Sequence, residues 1–390
     1  MNDEFILFRN DFTGENLFFS GARSVVTAWT PQDIEPAFKE LEEARQSGLW
    51  AAGYVSYDAG RTLEPALRTR LSERPDPKRT CPLMSFGVFD GPQAPEEADR
   101  LLAAPHTDAA LSEARPLWDF DTYKSRFDRL RSHLHAGDCF QANLTFEFAA
   151  RCDVDAATLF NTLRSRQAVA HSALVSLDGP QIVSRSPELF FRVGRDGWIE
   201  SKPMKGTAPR GKTAEEDKLL KQQLESDPKC RSENLMIVDL LRNDLSRICA
   251  AGSVHVPQLY HVESFATVHQ MISRVRGRLE KEITLSEIMR AIFPCGSITG
   301  APKIRAMEII HDLEDTDRNV YCGSIGWIAP GGAMEFNVAI RTISLYPGGE
   351  AVFNVGGGII FDSDARSEYE ECMIKARYAL RQTEHREDTQ

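Results

Sequence analysis

Apolar positions repeat at helical spacing in some stretches of the chain and run almost continuously in others. Ile34, Phe38 and Leu41 make one helical stripe. Thr30-Pro31 reads as its N-cap and first helical position, and Gly48 as its stop. Leu49 to Tyr57 is strand-like. Tyr123, Phe127, Leu130 and Leu134 make a second stripe that ends at Gly137. The same spacing predicts a long helical stretch over 213–245, broken near Pro228, another helix over 302–313 and a last one over 366–382. Strands are predicted near 140–149, 172–177, 181–185, 188–193, 320–329, 334–345 and 351–355. Helices and strands come in unequal runs with no regular βα alternation. That pattern predicts an α+β fold with large, mostly antiparallel sheets. Prolines at 75, 77, 82, 92, 95, 105 and 116 mark 73–116 as the expected linker, with room for a strand at 83–89. The expected division is therefore an N-terminal region, 1–110, and a second region, 117–384. The last residues, HREDTQ, are expected to fray.

Charge and composition remove several classes of function. Lys plus Arg is 46 and Asp plus Glu is 57 in 390 residues, a formal charge of −11. With no basic tract, nucleic acid is not an expected partner. No apolar run reaches the ~18 residues that cross a bilayer, and no basic start leads into a long apolar stretch, so neither membrane nor secretion is expected. The eight cysteines form no CxxC pair, which predicts neither a zinc site nor a disulfide framework; free thiols suit a reducing cytoplasm.

One motif invites a misreading. Gly206-Thr-Ala-Pro-Arg-Gly211-Lys212-Thr213 matches the phosphate-binding pattern GxxxxGK[ST] letter for letter. Such a loop follows a buried parallel strand, whereas here it follows a stretch containing Glu200, Lys202 and Lys205, poor residues for that setting. A P-loop nucleotidase is thus the distant alternative.

Chemistry gathers in the second half. Glu233, Asp239, Arg242 and Asp244 lie on a stretch, Glu233 to Leu245, that reads as a helix apolar nearly all round and so buried. Buried charges need partners or a metal. Arg242 paired with Asp239 or Asp244 satisfies that need as well as a ligand does. On the last helix Tyr369, Met373, Ala376 and Leu380 form an apolar stripe, while Glu368, Glu371 and Lys375 share another face. They are either a solvated face with an i,i+4 pair or two carboxylates for a hard cation such as magnesium, with an ammonium beside them. The loops Gly296-Ser-Ile-Thr-Gly-Ala-Pro-Lys303 and Gly356-Gly-Gly-Ile359 permit close approach of backbone amides to an anion, or are simply strand-end turns. Arg341, in an apolar strand-like run, wants a carboxylate from substrate or protein.

Taken in order, the segments Ser186-Pro-Glu188, Lys202-Pro-Met-Lys-Gly-Thr207, Glu233 to Leu245, the 296–303 loop, the glycine run and Glu368-Tyr-Glu-Glu371 resemble the chorismate-utilising enzymes. These comprise anthranilate synthase component I, aminodeoxychorismate synthase component I, isochorismate synthase and salicylate synthase. The resemblance covers about 117–384, and less specifically the leading region with Gly53-Tyr-Val-Ser-Tyr-Asp-Ala-Gly60. It implies two large antiparallel sheets packed face to face with helices outside, and an active site for chorismate in a deep cleft. It implies that Glu233 and Glu371 hold Mg²⁺, with Glu368 reaching the metal through water, and that Glu188 is the general acid at the 4-hydroxyl. By the same resemblance Gln141, Thr207, His269, Thr299, Tyr321, Arg341, Gly357 and Lys375 line the substrate pocket. Two positions separate the branches. Gln141 stands where the water-adding enzymes carry a lysine base, and an amide cannot act as a base. Lys205 stands where anthranilate and isochorismate synthases carry alanine. It implies a lysine nucleophile of the aminodeoxychorismate synthase kind, with anthranilate synthase component I as the alternative. No Gly-x-Cys-x-Gly elbow for glutamine hydrolysis occurs, so a separate glutamine amidotransferase subunit is the expected source of ammonia. A catalytically silent binding subunit is a third reading, disfavoured by the full set of Glu188, Lys205, Glu233 and Glu371.

Overall fold

A computed structural model describes residues 4–68, 80–107, 111–265, 268–280 and 283–380. Among these residues the long strands fall into two antiparallel sheets. In the first, Gln141–Cys152 pairs along its length with Glu350–Ile360, and then follow Thr342–Tyr346, Gln181–Ser186, His171–Ser176, Phe5–Arg9 and Asn16–Ser20. The short Gly300–Ala301 and Leu111–Pro116 flank the other edge of Gln141–Cys152. The second sheet runs Met204–Pro209, Val268–Arg278, Trp198–Ser201, Leu189–Val193, Met334–Asn337, Ser324–Ile328, Trp50–Val55, Met84–Phe89 and Ser24–Ala28, with His255–Ser264 also on Val268–Arg278.

The sheets pack face to face. Ile6, Phe19, Val175 and Ile182 of the first meet Ala52, Tyr54, Phe89 and Ile325 of the second in one apolar layer. Helices Phe120–Ala136, Ala156–Arg166, Lys303–Leu313 and Ala365–Ala376 cover the outside of the first sheet. Helices Ile34–Gln46, Pro228–Ser246 and Leu285–Ile292 cover the second. This is the expected α+β architecture. Local signals set its helix ends: the Asp119 carboxylate accepts the Thr122 N–H, and Gly137 closes that helix at φ 78.

Three expectations change. The described part of 73–116 is structured: Met84–Phe89 is an inner strand, Pro95–Leu102 a helix and Leu111–Pro116 a strand. Pro95 sits at a helix first turn and Pro116 ends an edge strand, places that need no proline N–H. Pro75 and Pro77 lie outside the described residues, as do the last ten. The strand expected over 334–345 is two strands in different sheets, and the chain crosses between them at 338–341. The helix read as apolar all round is amphipathic. Leu235 is exposed, Arg242 and Asp239 pair on the surface, and only Asp244 is buried, bonded to Lys303. The predicted break at Pro228 is real, since Ala214–Ser226 ends just before it. No helix among the described residues is long and apolar enough to cross a membrane, and all eight cysteines are free.

Candidate active site

Each chemical residue reaches its place through a local device. Ser186 Oγ donates to the Val338 carbonyl at 2.6 Å and accepts the Glu188 N–H at 3.2 Å, fixing the turn that projects Glu188 inward. The strand Met204–Pro209 bulges between Met204 and Thr207. Gly206 takes φ +80 there, and a Cβ on it would come within 2.8 Å of Cys230 Sγ. Glycine thus lets the bulge lie against the helix Pro228–Ser246 and re-aim Lys205. That helix, capped by Asp227, carries Lys229 and Glu233 on one face, their charged atoms 4.0 Å apart.

The glycine run joins two sides of a sheet. Side chains alternate across a strand. A Cβ on Gly357 would lie 3.2 Å from Glu368 Oε2 and 3.7 Å from Lys375 Nζ, both of the outer helix. A Cβ on Gly358 would lie 2.8 Å from Gln141 Nε2 and 3.5 Å from Lys205 Nζ. With neither side chain present, Glu368, Lys375 and Lys205 open onto one cavity of about 280 Å³. Glu188, Lys205, Thr207 and Glu233 line it from the second sheet and its helix. Tyr321, Arg341, Gly357, Glu368, Glu371 and Lys375 add to the wall. Arg341 stands at the crossing between the sheets, at φ 51, and donates to Gln167 Oε1 at 2.7 Å.

Burial pushes the Glu188 carboxyl up to about 7, against the opposing pull of the Ser297 hydroxyl, the Lys205 ammonium and the Met204 N–H. Its Oε1 has no hydrogen-bond partner among the described residues. Burial also raises Glu368, although Ser363 Oγ donates to it at 2.7 Å. Burial acts the same way on Glu371, but Lys375, 2.8 Å away, outweighs it and leaves that acid below its ordinary value. Lys375 also donates to the Gly356 carbonyl at 2.9 Å. The cavity therefore offers two acids that burial favours in the protonated form, Glu188 and Glu368, three lysine amines and two further carboxylates. Oxygen-only donors suit magnesium. No group of three or more His, Cys, Asp or Glu side chains among the described residues forms a ready cage.

Three expected pocket residues lie outside the wall. Gln141 sits directly behind Gly358, 1% exposed, with neither amide atom hydrogen-bonded among the described residues. Thr299 donates to the Cys295 carbonyl and shapes the loop, while its neighbour Ser297 faces the cavity. His269 is buried in the sheet, with Nε2 2.9 Å from Asp217 and Nδ1 2.9 Å from Ser264 Oγ. Sequence reasoning missed Asn143, Lys229, Ser297 and Asn354, which also line the cavity. Asn143 shares a strand face with Gln141, a period-two signal that was available. The P-loop reading fails on geometry. Gly206 to Pro209 belongs to an antiparallel strand, and the N–H groups of Gly211 and Lys212 are already taken by Asp217 and Glu216 of the next helix. They cannot cradle a phosphate.

The chain belongs to the chorismate binding enzyme family, whose sequence profile matches residues 3–381. It is 38% identical over 354 residues to aminodeoxychorismate synthase component 1 of Klebsiella aerogenes, covering 86% of this chain and 77% of that protein. It is 36% identical over 372 residues to the protein of that name from Escherichia coli K12, covering 90% and 80%. Among solved structures, anthranilate synthase component I from Streptococcus pneumoniae superposes with a TM-score of 0.76 at 26% identity, over 97% of this chain and 91% of that one. The menaquinone-specific isochorismate synthase of Escherichia coli shares the fold, with a TM-score of 0.73 at 19% identity over 97% and 88%.

Proposed function

We propose that this enzyme converts chorismate and ammonia to 4-amino-4-deoxychorismate, the precursor of 4-aminobenzoate and folate, and that a glutamine amidotransferase subunit supplies the ammonia. The observation that carries this reading is Lys205, an amine opening onto the same cavity as a buried acid whose pKa is about 7. The names of the relatives, which call themselves component 1, point the same way.

The residues divide the work. Arg341 and Lys375 bind and orient the substrate carboxylates. Lys205, once its ammonium has given a proton to solvent, forms a bond to ring C2 while the C4–oxygen bond breaks, and Glu188 gives its proton to the departing hydroxyl, which leaves as water. Ammonia then bonds to C4, the C2–lysine bond breaks, and a proton returns to Glu188. The net change is chorismate plus ammonia to aminodeoxychorismate plus water, with the enolpyruvyl group retained. Gln141, an amide behind Lys205, gives no base for activating water. Glu233 and Glu371, with Glu368 beyond them, would hold Mg²⁺, which would neutralise the ring carboxylate and draw electron density from the ring.

The test is product identification from chorismate, Mg²⁺ and ammonium, with and without an added lyase. A product that needs the lyase to become 4-aminobenzoate is expected; fluorescent anthranilate formed without it would refute the reading. Lys205→Ala should lower turnover by about 100-fold or more. Mass spectrometry of the native enzyme with chorismate and no ammonia should show an adduct on the peptide containing Lys205.

A further inference from the structure

The cavity interleaves cations with acids. Glu188, Glu233, Glu368 and Glu371 share it with Lys205, Lys229, Lys375 and Arg341. The four cations are held to different degrees. Lys375 is fixed by Glu371 and the Gly356 carbonyl, and Arg341 is fixed by Gln167. Lys205 lies on the far side, beside Gly358. Lys229 is different. Its ammonium touches Glu233 only at 4.0 Å, and its side chain is 63% exposed. Its charge also reaches Glu368 and Glu371. One loosely held ammonium thus lines the same cavity as the three carboxylates proposed for the magnesium, nearest to Glu233.

We propose that Lys229 is a placeholder for the divalent cation, holding the place beside Glu233 until a dicarboxylate substrate draws it away. The inference rests on the magnesium reading above. A doubly charged ion and an ammonium cannot both occupy the space against Glu233 without repulsion. Entry of the metal therefore requires Lys229 to swing out, and its long stem and exposure permit that at little cost in packing. The swung-out ammonium finds a new counter-ion in the carboxylate that the substrate brings. Metal and substrate then bind cooperatively, and the coupling is reciprocal. The placeholder also spares the empty enzyme an uncompensated Glu233, since Glu371 already has Lys375 and Glu368 has Ser363.

Calorimetric titration of Mg²⁺ into the enzyme, with and without chorismate and in the absence of ammonia, tests this. Chorismate should tighten Mg²⁺ binding to the wild type by about tenfold, within the usual range of such couplings. Lys229→Met should bind Mg²⁺ alone about tenfold more tightly than the wild type and lose most of the coupling. Lys229→Arg, which keeps the charge, should behave like the wild type. Equal Mg²⁺ affinities for the wild type and Lys229→Met without substrate would overturn the placeholder role while leaving the metal site intact. Absence of Mg²⁺ binding even with chorismate present would instead remove the metal reading itself, and the inference with it.

Discussion

A single carboxyl sets the expected pH behaviour. Glu188 ordinarily would titrate near 4.5, and burial lifts it to about 7. The proton-donating form thus predominates below that value and is lost above it. Turnover should fall as pH rises through about 7, and a dianionic substrate nearby would move that limb higher still. The same shift acts on folding. Because the folded protein binds this proton more tightly than the unfolded chain, the stabilisation it brings is complete below 4.5 and lost as pH rises through about 7. Glu188→Gln should cut turnover by about 100-fold or more and flatten the alkaline limb. It should also gain stability relative to the wild type between mildly acidic and mildly alkaline urea titrations. A wild-type rate that stays flat from about pH 6 to about pH 9 would contradict the assignment. As a candidate acid this residue was legible in Ser-Pro-Glu, through the family resemblance. Its pKa was not, because the groups around its carboxyl, Ser297, Lys205 and Met204, come from distant parts of the chain.

Between elements, Arg318 joins what the sequence gives no reason to join. Its side chain is 1% exposed. It donates to Glu314 at 2.6 and 2.8 Å, to the Ile298 carbonyl at 2.9 Å and to the Asn143 carbonyl at 2.6 Å, and it lies over the Tyr57 ring. One guanidinium therefore fastens the loop bearing Ser297, the strand bearing Gln141 and Asn143, and the N-terminal turn. Arg318→Met leaves the buried Glu314 carboxylate without this partner, and should cost about 3–5 kcal/mol in urea unfolding. A loss under about 1 kcal/mol would show that the contacts are dispensable. Helices with a polar face and a cap, such as Phe120–Ala136, were readable from sequence. Ala156–Arg166 was not, because seven of its residues are buried and it shows no polar stripe. Val268–Arg278 hid for another reason: its inward positions include His269, Ser273 and Gly277, so alternation of apolar and polar letters is lost. The His269–Asp217 contact spans 52 residues and has no mark in either segment.

At the scale of the molecule, the order of strands in space departs from their order in the chain. Phe5–Arg9 is bonded to His171–Ser176, and Trp50–Val55 to Ser324–Ile328. The expected boundary near 110–117 falls between segments that contribute strands to both sheets. Antiparallel sheets were predictable from unequal element runs; the partners were not, since pairing over such separations leaves no local pattern. The longest partnership, Gln141–Cys152 with Glu350–Ile360, has a consequence for synthesis. At about 5–20 residues per second, a ribosome takes on the order of tens of seconds to make the intervening chain. Through that interval one long edge of Gln141–Cys152 waits unpaired, a template for strands of other chains. Nascent chains stalled before Glu350 should be cut by protease within that strand and pulled down with a holdase chaperone, and both signals should vanish once Ile360 clears the tunnel. A protease-resistant core in chains stalled earlier would show that the first sheet closes without it. The strand that supplies the glycine window of the active site is thus also among the last to emerge, so the newborn chain stays aggregation-prone until the site itself can form.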